Sequence, residues 1–313
     1  MNGPFCLVVN PAAGRGRSLR ALSAASASLD AAGATYEVSE ATSLDHAREI
    51  ATRAAGLGHV VVAVGGDGTA GPLAAVAAGA GARYGIIPAG NGNDFARVLG
   101  IPFDAAAAGQ ALTGGKERRV DLIAVSTADQ AEIVVAGSVY AGVPSVAGEI
   151  ANRIRWLRGP AVYPVAALRA LAGWAPAAFR LEVGGRELQI AGYAVVVANS
   201  AYFGAGMKVA PSAEIDDGLL DVLVMRHAPR LAFLRVLLRI RSGTHIGLPQ
   251  ISHQRSREVT VTVDRDLPAA ADGDTLPWAA PLRAGTTLRI RALPGALRVL
   301  VPADAANQTL TRG

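Results

Sequence analysis

A run of small apolar residues turns abruptly into a glycine-rich loop at residues 60–69, which read VVVAVGGDGT. The apolar part, Val60–Val64, is typical of a buried β-strand. The glycines that follow let the backbone adopt positive φ angles and bring its N–H groups close to an anion. Asp67 adds a carboxylate where a phosphate-bound Mg²⁺ would need an oxygen ligand. One such loop alone is equally well an ordinary turn from a strand to a helix.

Two further strands end in loops of the same kind. Residues 84–97, YGIIPAGNGNDFAR, repeat the order of apolar strand, glycine loop and acid, and Phe5–Val9 leads into a glycine and arginine loop at 10–17. Helical segments between these strands indicate a parallel sheet whose strands all end at one edge. Three phosphate-sized loops at one edge favour a nucleotide site, although Asp94 is also placed to cap the helix that follows it.

Composition removes several classes of function. Only two of the 30 basic residues are lysines, Lys116 and Lys208, and neither has the spacing of a Walker A loop. The net charge is +5 but aromatic residues make up only 5%, which disfavours nucleic acid as a partner and favours an anionic membrane surface. No apolar run reaches 18 residues and no secretory signal precedes Phe5, so we expect a cytoplasmic protein with peripheral membrane contact. The single cysteine, Cys6, excludes an internal disulfide.

The second half of the chain changes from βα alternation to short strands. A tight hairpin is predicted at Gly184-Gly185, and a helical insertion is predicted at residues 143–171. We therefore expect two domains: an α/β nucleotide-binding domain at 1–122 and a β-sandwich at 123–296. The C-terminal segment 297–313 is expected to complete the first domain.

In six places the chain resembles the diacylglycerol kinase catalytic-domain family, which includes bacterial lipid kinases and sphingosine kinases. The matching segments are 10–14, 65–69, 88–97, 198–221, 271–274 and 294–299. The resemblance implies a three-layer α/β/α Rossmann-like domain followed by a β-sandwich domain that binds the lipid. It also implies an ATP-dependent lipid kinase that uses Mg²⁺ and transfers the γ-phosphate to a hydroxyl of diacylglycerol or a related lipid, in a cleft between the domains.

The resemblance also carries residue roles onto this sequence. The nucleotide-binding positions are Asn10, Pro11, Gly14, Arg17, Thr42, Gly65, Gly66, Asp67, Gly68, Thr69, Gly90, Asn91, Asn93 and Asp94. Asp67, Asp94 and Asp121 hold the catalytic Mg²⁺ and its waters; Glu214, Asp217 and Leu219 hold a second, structural Mg²⁺, with Glu214 fitting only through its carbonyl oxygen. The catalytic residues are Asp67 together with Asp272 or Asp274 as the base that takes the hydroxyl proton. Simpler structural explanations are also open for these residues. Asp121 could be a solvated strand end, and residues 272–274 could be a polar hairpin turn.

Two departures from the family pattern keep other functions open. The family commonly has Asn-Glu where this chain has Gly71-Pro72, with Pro72 expected in the first turn of a helix, and it commonly has threonine where this chain has Asn91. Asp274 also replaces the usual glutamate. The alternatives are a soluble enzyme similar to NAD kinases, which share the GGDGT loop, and a nucleotide-binding sensor with little catalysis.

One amphipathic segment is a candidate for membrane contact. Residues 229–242 alternate leucines with arginines, and Arg153, Arg155, Trp156 and Arg158 could join the same surface. Packing of the apolar side on the sandwich, with the arginines in water, is the alternative. A homodimer is also left open.

Overall fold

The computed structural model describes residues 3–11, 16–154, 162–276 and 281–304. Gly14, Arg155, Trp156 and Arg158, four residues named above, lie outside these ranges. The chain divides into two compact units, Met1–Asp121 together with the segment that begins at Pro294, and Leu122–Leu293. The divisions fall one and three residues before those expected from the sequence, at 122 and 296.

The elements alternate strand and helix in the first unit and are mostly strands in the second. In chain order they are β1 (Phe5–Val9), α1 (Arg17–Ala31), β2 (Tyr36–Glu40), α2 (Leu44–Gly56), β3 (Val60–Gly65), α3 (Asp67–Gly79), β4 (Arg83–Pro88), α4 (Asp94–Val98), α5 (Ala105–Gly114), β5 (Lys116–Ser126), β6 (Ile133–Val135), β7 (Ser138–Gly142), α6 (Val143–Arg153), α7 (Val162–Gly173), β8 (Ala177–Val183), β9 (Arg186–Ala198), β10 (Leu220–Arg226), α8 (Ala232–Arg239), a 3₁₀ helix (Thr244–Gly247), β11 (Ile251–Ser256), β12 (Glu258–Val263), β13 (Ala269–Ala271), β14 (Asp274–Thr275) and β15 (Thr287–Val301).

The first unit is built on a parallel sheet in the order β2-β1-β3-β4-β15. Every residue of β1 and β3 is buried, as expected for strands covered by helices on both faces. Val9 lies opposite Val64, and Gly65 lies opposite Pro88. The carboxyl ends of β1, β3 and β4 therefore share one edge, and each is followed by one of the three loops.

The helix after β3 begins earlier than the sequence analysis expected. Its first residue is Asp67 and Gly66 is its N-cap, so Pro72 lies inside the helix rather than in its first turn. Proline has no N–H to donate to the carbonyl four residues earlier, which is that of Gly68. The glycine loop and the first turn of α3 are therefore one structure, in which Asp67 and Thr69 are helical residues.

The second unit contains antiparallel strands that bury a large apolar core on one face and a smaller apolar cluster on the other. Along β8 the side chains of Ala177, Phe179, Leu181 and Val183 are buried and alternate with exposed ones. Strand β9 returns antiparallel to β8 through Gly184-Gly185, whose φ angles of 57° and 75° fit the predicted two-residue hairpin. The core is therefore formed by the inward face of these strands.

Helices α6, α7 and α8 pack outside this core and make their own apolar cluster. It contains Val143, Ala170, Tyr193, Phe233 and Val236. The insertion predicted at 143–171 is seen as α6 and α7, which extend to Gly173. Within the described ranges, no helix combines the length and apolar character needed to cross a bilayer.

Candidate functional site

Two glycine loops touch at the carboxyl edge of the first sheet. Gly66 follows β3, and Gly90 lies in the loop after the neighbouring parallel strand β4. A Cβ atom built on Gly66 would lie 2.9 Å from the Cα of Gly90, and one built on Gly90 would lie 2.5 Å from the Cα of Gly66. Because carbon atoms do not approach so closely, both positions require glycine.

Asn93 and Asp67 hold these loops in place. Asn93 has φ 52°, and its Oδ1 accepts a hydrogen bond from the Gly90 N–H at 2.8 Å. Oδ1 of Asp67 accepts from the N–H of Phe95 at 3.0 Å, which joins the start of α3 to the start of α4. The positive end of the α3 dipole lies here as well, so the arrangement suits an anion.

A cation from the first loop reaches the same place. Arg17 begins α1, and its Nη1 donates to Oδ1 of Asn91 at 2.6 Å. Asn10 and Pro11, at the end of β1, are partly buried. Thr42 is exposed after β2, where its Oγ1 lies 3.2 Å from Nδ1 of His46. The structure thus joins Arg17 to the second glycine loop, whereas Thr42 contacts His46 in α2, the helix that follows it.

The three aspartates predicted to bind the catalytic Mg²⁺ have different surroundings. Asp67 and Asp94 begin α3 and α4, and the Asp94 side chain, 14% exposed, lies 3.8 Å from Nε of Arg97. Asp121 is 2% exposed, and its Oδ1 accepts from the N–H of Gly295 at 2.7 Å. Among the described residues, no three His, Cys, Asp or Glu side chains form a group that could hold a metal ion. The chemistry of Asp67 and Asp94 fits Mg²⁺, which prefers one or two carboxylates plus phosphate oxygens and water.

Of the two candidate bases, Asp272 has its carboxylate occupied. Its Oδ2 accepts from the N–H of Ala136 at 2.7 Å, and its Oδ1 accepts from Gly137 at 2.9 Å and from Ser138 at 2.8 Å. These bonds tie the turn at 272–273 to the start of β7. Asp274, two residues later, is exposed. Both oxygens of the Asp272 carboxylate therefore accept backbone hydrogen bonds, whereas Asp274 is exposed to solvent.

A buried tyrosine secures the same turn. Tyr140 accepts a hydrogen bond from the N–H of Gly273 at 2.9 Å through its hydroxyl oxygen. Burial raises the pKa of Tyr140 far above its usual value, and the carboxylates of Asp272 and Asp274 raise this pKa further. The phenol is therefore neutral and acts as a fixed support.

One of the residues predicted to bind the structural Mg²⁺, Asp217, forms an ion pair with an arginine of the same chain. Oδ1 of Asp217 accepts from the N–H of Leu219 at 2.9 Å, and Oδ2 forms an ion pair with Arg255. Glu214 is exposed. A metal ion at this place would share the carboxylate of Asp217 with Arg255, so the assignment of Asp217 as a ligand stays a prediction.

Arg255 also approaches a second, fully buried acid. Asp221 is 0% exposed, and its Oδ2 lies 3.4 Å from Nε of Arg255. Its Oδ1 lies 2.6 Å from both Oγ of Ser212 and Nε2 of His253. Sequence reasoning found neither Arg255 nor His253, which come from β11 and pair with β10 residues far away along the chain.

An apolar cavity lies within the second unit. Its volume is about 110 Å³, and its described lining comes from α6, α7, β9, β10, α8 and neighbouring segments. Val143, Phe203, Met207, Leu237 and Ile240 are among the lining residues. Cavities of this kind bind hydrocarbon groups.

The other side of α8 is exposed to solvent. Leu231, Leu234 and Leu238 are 78%, 41% and 82% exposed, and Arg235 and Arg239 are exposed beside them. We call these five residues the α8 outer face. The helix therefore lines the cavity with one side and presents leucines with arginines on the other.

Comparison with known proteins assigns both units. Residues 4–125 match the family model of the diacylglycerol kinase catalytic domain, and residues 137–301 match that of the YegS C-terminal NAD kinase beta sandwich-like domain. These matches define a two-domain lipid kinase class and confirm the predicted fold class. A diacylglycerol kinase of Mycobacterium tuberculosis is 32% identical over 303 residues, which are 96% of each chain. This chain belongs to the diacylglycerol kinase family.

Further relatives agree with this assignment. A protein of Stenotrophomonas maltophilia described as a probable lipid kinase YegS-like is 30% identical over 78% of this chain and 79% of its own length. A solved structure titled a diacylglycerol kinase from Bacillus anthracis has a TM-score of 0.71 at 19% identity and covers 96% of this chain and 97% of that chain. At this identity the structural likeness supports the fold alone.

Proposed function

We propose that this protein transfers the γ-phosphate of ATP to a hydroxyl group of diacylglycerol or a related lipid, with Mg²⁺, at a membrane surface. The observation that carries the choice of a lipid acceptor is the apolar cavity of the second unit. A nucleotide such as NAD would need polar partners for its ribose and phosphate groups, whereas this lining suits a hydrocarbon chain.

The chain's own groups suit the binding of a polyphosphate. Gly66 and Gly90 let two backbone segments approach each other, and Arg17 places a guanidinium beside Asn91. The N-terminus of α3 adds a positive dipole end. When bound, Mg²⁺ would supply positive charge to the phosphate oxygens, with Asp67 and Asp94 as its carboxylate ligands.

The lipid hydroxyl needs a proton acceptor, and we assign this role to Asp274. Its side chain is exposed, whereas that of Asp272 holds three backbone N–H groups. Asp272 would then keep Asp274 in position through the turn that they share. General-base catalysis of this type contributes about 10²–10⁴-fold to the rate.

The test is phosphotransfer from radiolabelled ATP to a panel of diacylglycerol, phosphatidylglycerol, a sphingoid base and NAD. We expect labelled product from a lipid, and loss of at least about 10²-fold in kcat for Asp67→Asn and Asp274→Asn. Asp129→Asn is the matched control, because Asp129 is an exposed aspartate outside the glycine loops. Transfer to NAD alone would favour the NAD kinase alternative, and ATP binding without transfer to any acceptor would favour a sensor.

We also propose that the α8 outer face rests on anionic membranes. Exposed leucines would enter the interface while the arginines contact acidic head groups. In sedimentation with phosphatidylcholine vesicles that contain phosphatidylglycerol, Leu238→Asp should release the protein. Leu57→Asp is the control, since Leu57 is 66% exposed at the end of a helix in the other unit. Equal sedimentation with neutral and anionic vesicles would contradict this part of the proposal.

A further inference from the structure

One side chain joins the wall of the apolar cavity to the turn that carries Asp274. Tyr140 lies on β7, directly opposite Val196 on β9, and Val196 is one of the residues that line the cavity. The ring of Tyr140 also packs against that of Phe203, a second lining residue, with 4.7 Å between the ring centroids. All three belong to one apolar cluster, so Tyr140 is held in place by the cavity wall.

The far end of the same side chain holds the turn at residues 272–274. Its hydroxyl oxygen accepts a hydrogen bond from the N–H of Gly273 at 2.9 Å. Asp272 has a φ angle of 49° and Gly273 one of 96°, and a turn of this kind depends on contacts from outside it. The Tyr140 hydroxyl and the bonds of the Asp272 carboxylate supply such contacts. The place of Asp274 therefore depends on the place of the Tyr140 ring.

The Tyr140 hydroxyl is a fixed support only as far as its ring is held. Tyr140 is 2% exposed and closely packed, so its ring moves only when its neighbours move. Two of these neighbours, Val196 and Phe203, are part of the cavity wall. A hydrocarbon chain in the cavity adds van der Waals contacts to this wall and so restrains it. The same contacts therefore restrain the Tyr140 ring and the turn beyond it.

We propose that a lipid chain in the cavity sets the position of Asp274 through Phe203 and Tyr140, so that Tyr140 is a positioning residue for phosphate transfer. Binding energy from a part of the substrate that does not react then raises kcat, because it places the reacting groups. This inference rests on the proposed function, since it takes the cavity as the chain site and Asp274 as the base. It adds that a long-chain acceptor is selected by its rate of reaction as well as by its affinity.

The test supplies the hydroxyl and the hydrocarbon chain as separate molecules. Diacetylglycerol carries the acceptor hydroxyl without a long chain, dioctanoylglycerol carries both, and methyl octanoate carries a chain without a hydroxyl. With ATP and Mg²⁺ in excess, we expect kcat for diacetylglycerol to be at least about tenfold below that for dioctanoylglycerol. Methyl octanoate should raise kcat for diacetylglycerol about fivefold or more by occupying the cavity.

Three variants separate this coupling from simple support of the fold. Tyr140→Phe keeps the ring against Phe203 but removes the acceptor for the Gly273 N–H, so methyl octanoate should no longer raise kcat. Phe203→Leu keeps an apolar wall and should also abolish the activation, while methyl octanoate still binds in calorimetric titration. Leu237→Met, a change of similar volume in the α8 part of the wall, should keep the activation. A residue that only stabilises the fold would lower kcat for both acceptors alike.

Hydrogen exchange of the Gly273 amide, measured by NMR, tests the same contact without catalysis. Gly273 is exposed, so protection of its N–H reports on the bond to Tyr140. Methyl octanoate added without ATP should slow this exchange in wild type and leave it unchanged in Phe203→Leu.

The outcomes distinguish this inference from the proposed function. If methyl octanoate binds but neither slows the exchange nor raises kcat, the coupling is wrong and the cavity remains a chain site. If dioctanoylglycerol differs from diacetylglycerol in affinity but not in kcat, the coupling is again wrong although lipid phosphorylation stands. If methyl octanoate does not bind, both proposals about the cavity are wrong. If it slows the exchange but no lipid is phosphorylated, the contact stands and the proposed reaction fails.

Discussion

Replacing Asp272 by asparagine should destabilise the second unit strongly, because this partly buried residue holds its turn in place. Its carboxylate accepts from three consecutive backbone N–H groups, those of Ala136, Gly137 and Ser138. Asparagine keeps one acceptor oxygen but turns an NH₂ group toward N–H groups that also need an acceptor. Asparagine also tolerates the φ of 49° at this position, so the change isolates the hydrogen bonds.

The magnitude follows from these three bonds. A hydrogen bond to a charged group contributes about 1.5–3 kcal/mol, and an amide left without a partner costs about 1–3 kcal/mol. Loss of one charge-assisted bond together with one unpaired N–H gives a destabilisation of about 2.5–6 kcal/mol. For a unit of this size, each kcal/mol lowers Tm by about 2–4 °C, so the expected shift is about 5–24 °C.

Thermal melts followed by circular dichroism, with wild type and Asp274→Asn in parallel, measure this shift. Asp274 is exposed, so Asp274→Asn should stay within about 0.5 kcal/mol of wild type while it lowers kcat. A melt of Asp272→Asn within about 2 °C of wild type would refute the reasoning, because the three backbone bonds would then contribute little. Reduced kcat in a normally stable Asp272→Asn protein would return the role of base to Asp272.

Three further outcomes are expected. Arg255→Gln should lower the free energy of unfolding by about 1–3 kcal/mol, because Arg255 neutralises buried Asp221. Added Mg²⁺ should restore part of this loss by binding Asp217, which the variant deprives of its ion pair. A Tm that changes neither with the substitution nor with Mg²⁺ would contradict this. Burial lowers the pKa of His245 in the folded state. The unfolded chain therefore binds more protons than the folded chain below pH 6.5, and stability falls on acidification. In urea melts, the free energy of unfolding should change less between pH 7 and pH 5 for His245→Gln than for wild type. Burial raises the pKa of Cys6 to about 11, so iodoacetamide at pH 8 should label Cys6 only after unfolding, and rapid labelling of the native protein would show an accessible thiolate.

The first unit could be predicted from the sequence because its signals are local. The strand Val60–Gly65 is uniformly apolar and the glycines after it are adjacent in the chain, so strand, loop and helix all follow from a dozen residues. The glycine at position 90 is different. Its packing against Gly66 depends on the parallel register of β3 and β4, and the sequence indicated only that the two loops share an edge.

The partners of the acidic residues could not be predicted for the same reason. Asp272 bonds to N–H groups about 135 positions earlier in the chain, and a backbone N–H leaves no mark in the sequence. Asp217 meets Arg255 because β10 and β11 pair antiparallel, which places Asp221 opposite Arg255. The family resemblance implied roles for Asp272 and Asp217, but it did not indicate which groups they contact. The position of Asp274 on the exposed side of the turn likewise required the fold.

The hydrogen bond between His245 and the carbonyl of Val209 had no sequence signal. A lone histidine in an apolar segment is usually a core residue with its bonds satisfied, and only the tertiary position of Val209 shows which nitrogen is used. The cavity itself is made by helices and strands from more than one hundred residues of chain. Its existence depends on packing, which periodicity does not report.

Strand β15 has a consequence for the order in which this protein can fold during its synthesis. Arg298 and Val299 pair with Arg83 and Tyr84 of β4, so the last strand of the first sheet is made more than two hundred residues after its neighbour. Until it emerges from the ribosome, β4 has an unpaired edge that can associate with other strands. A nascent chain stalled anywhere before Arg298 therefore holds the glycine loops without the strand that closes their sheet, and a protein cut after Asp121 would keep that defect permanently.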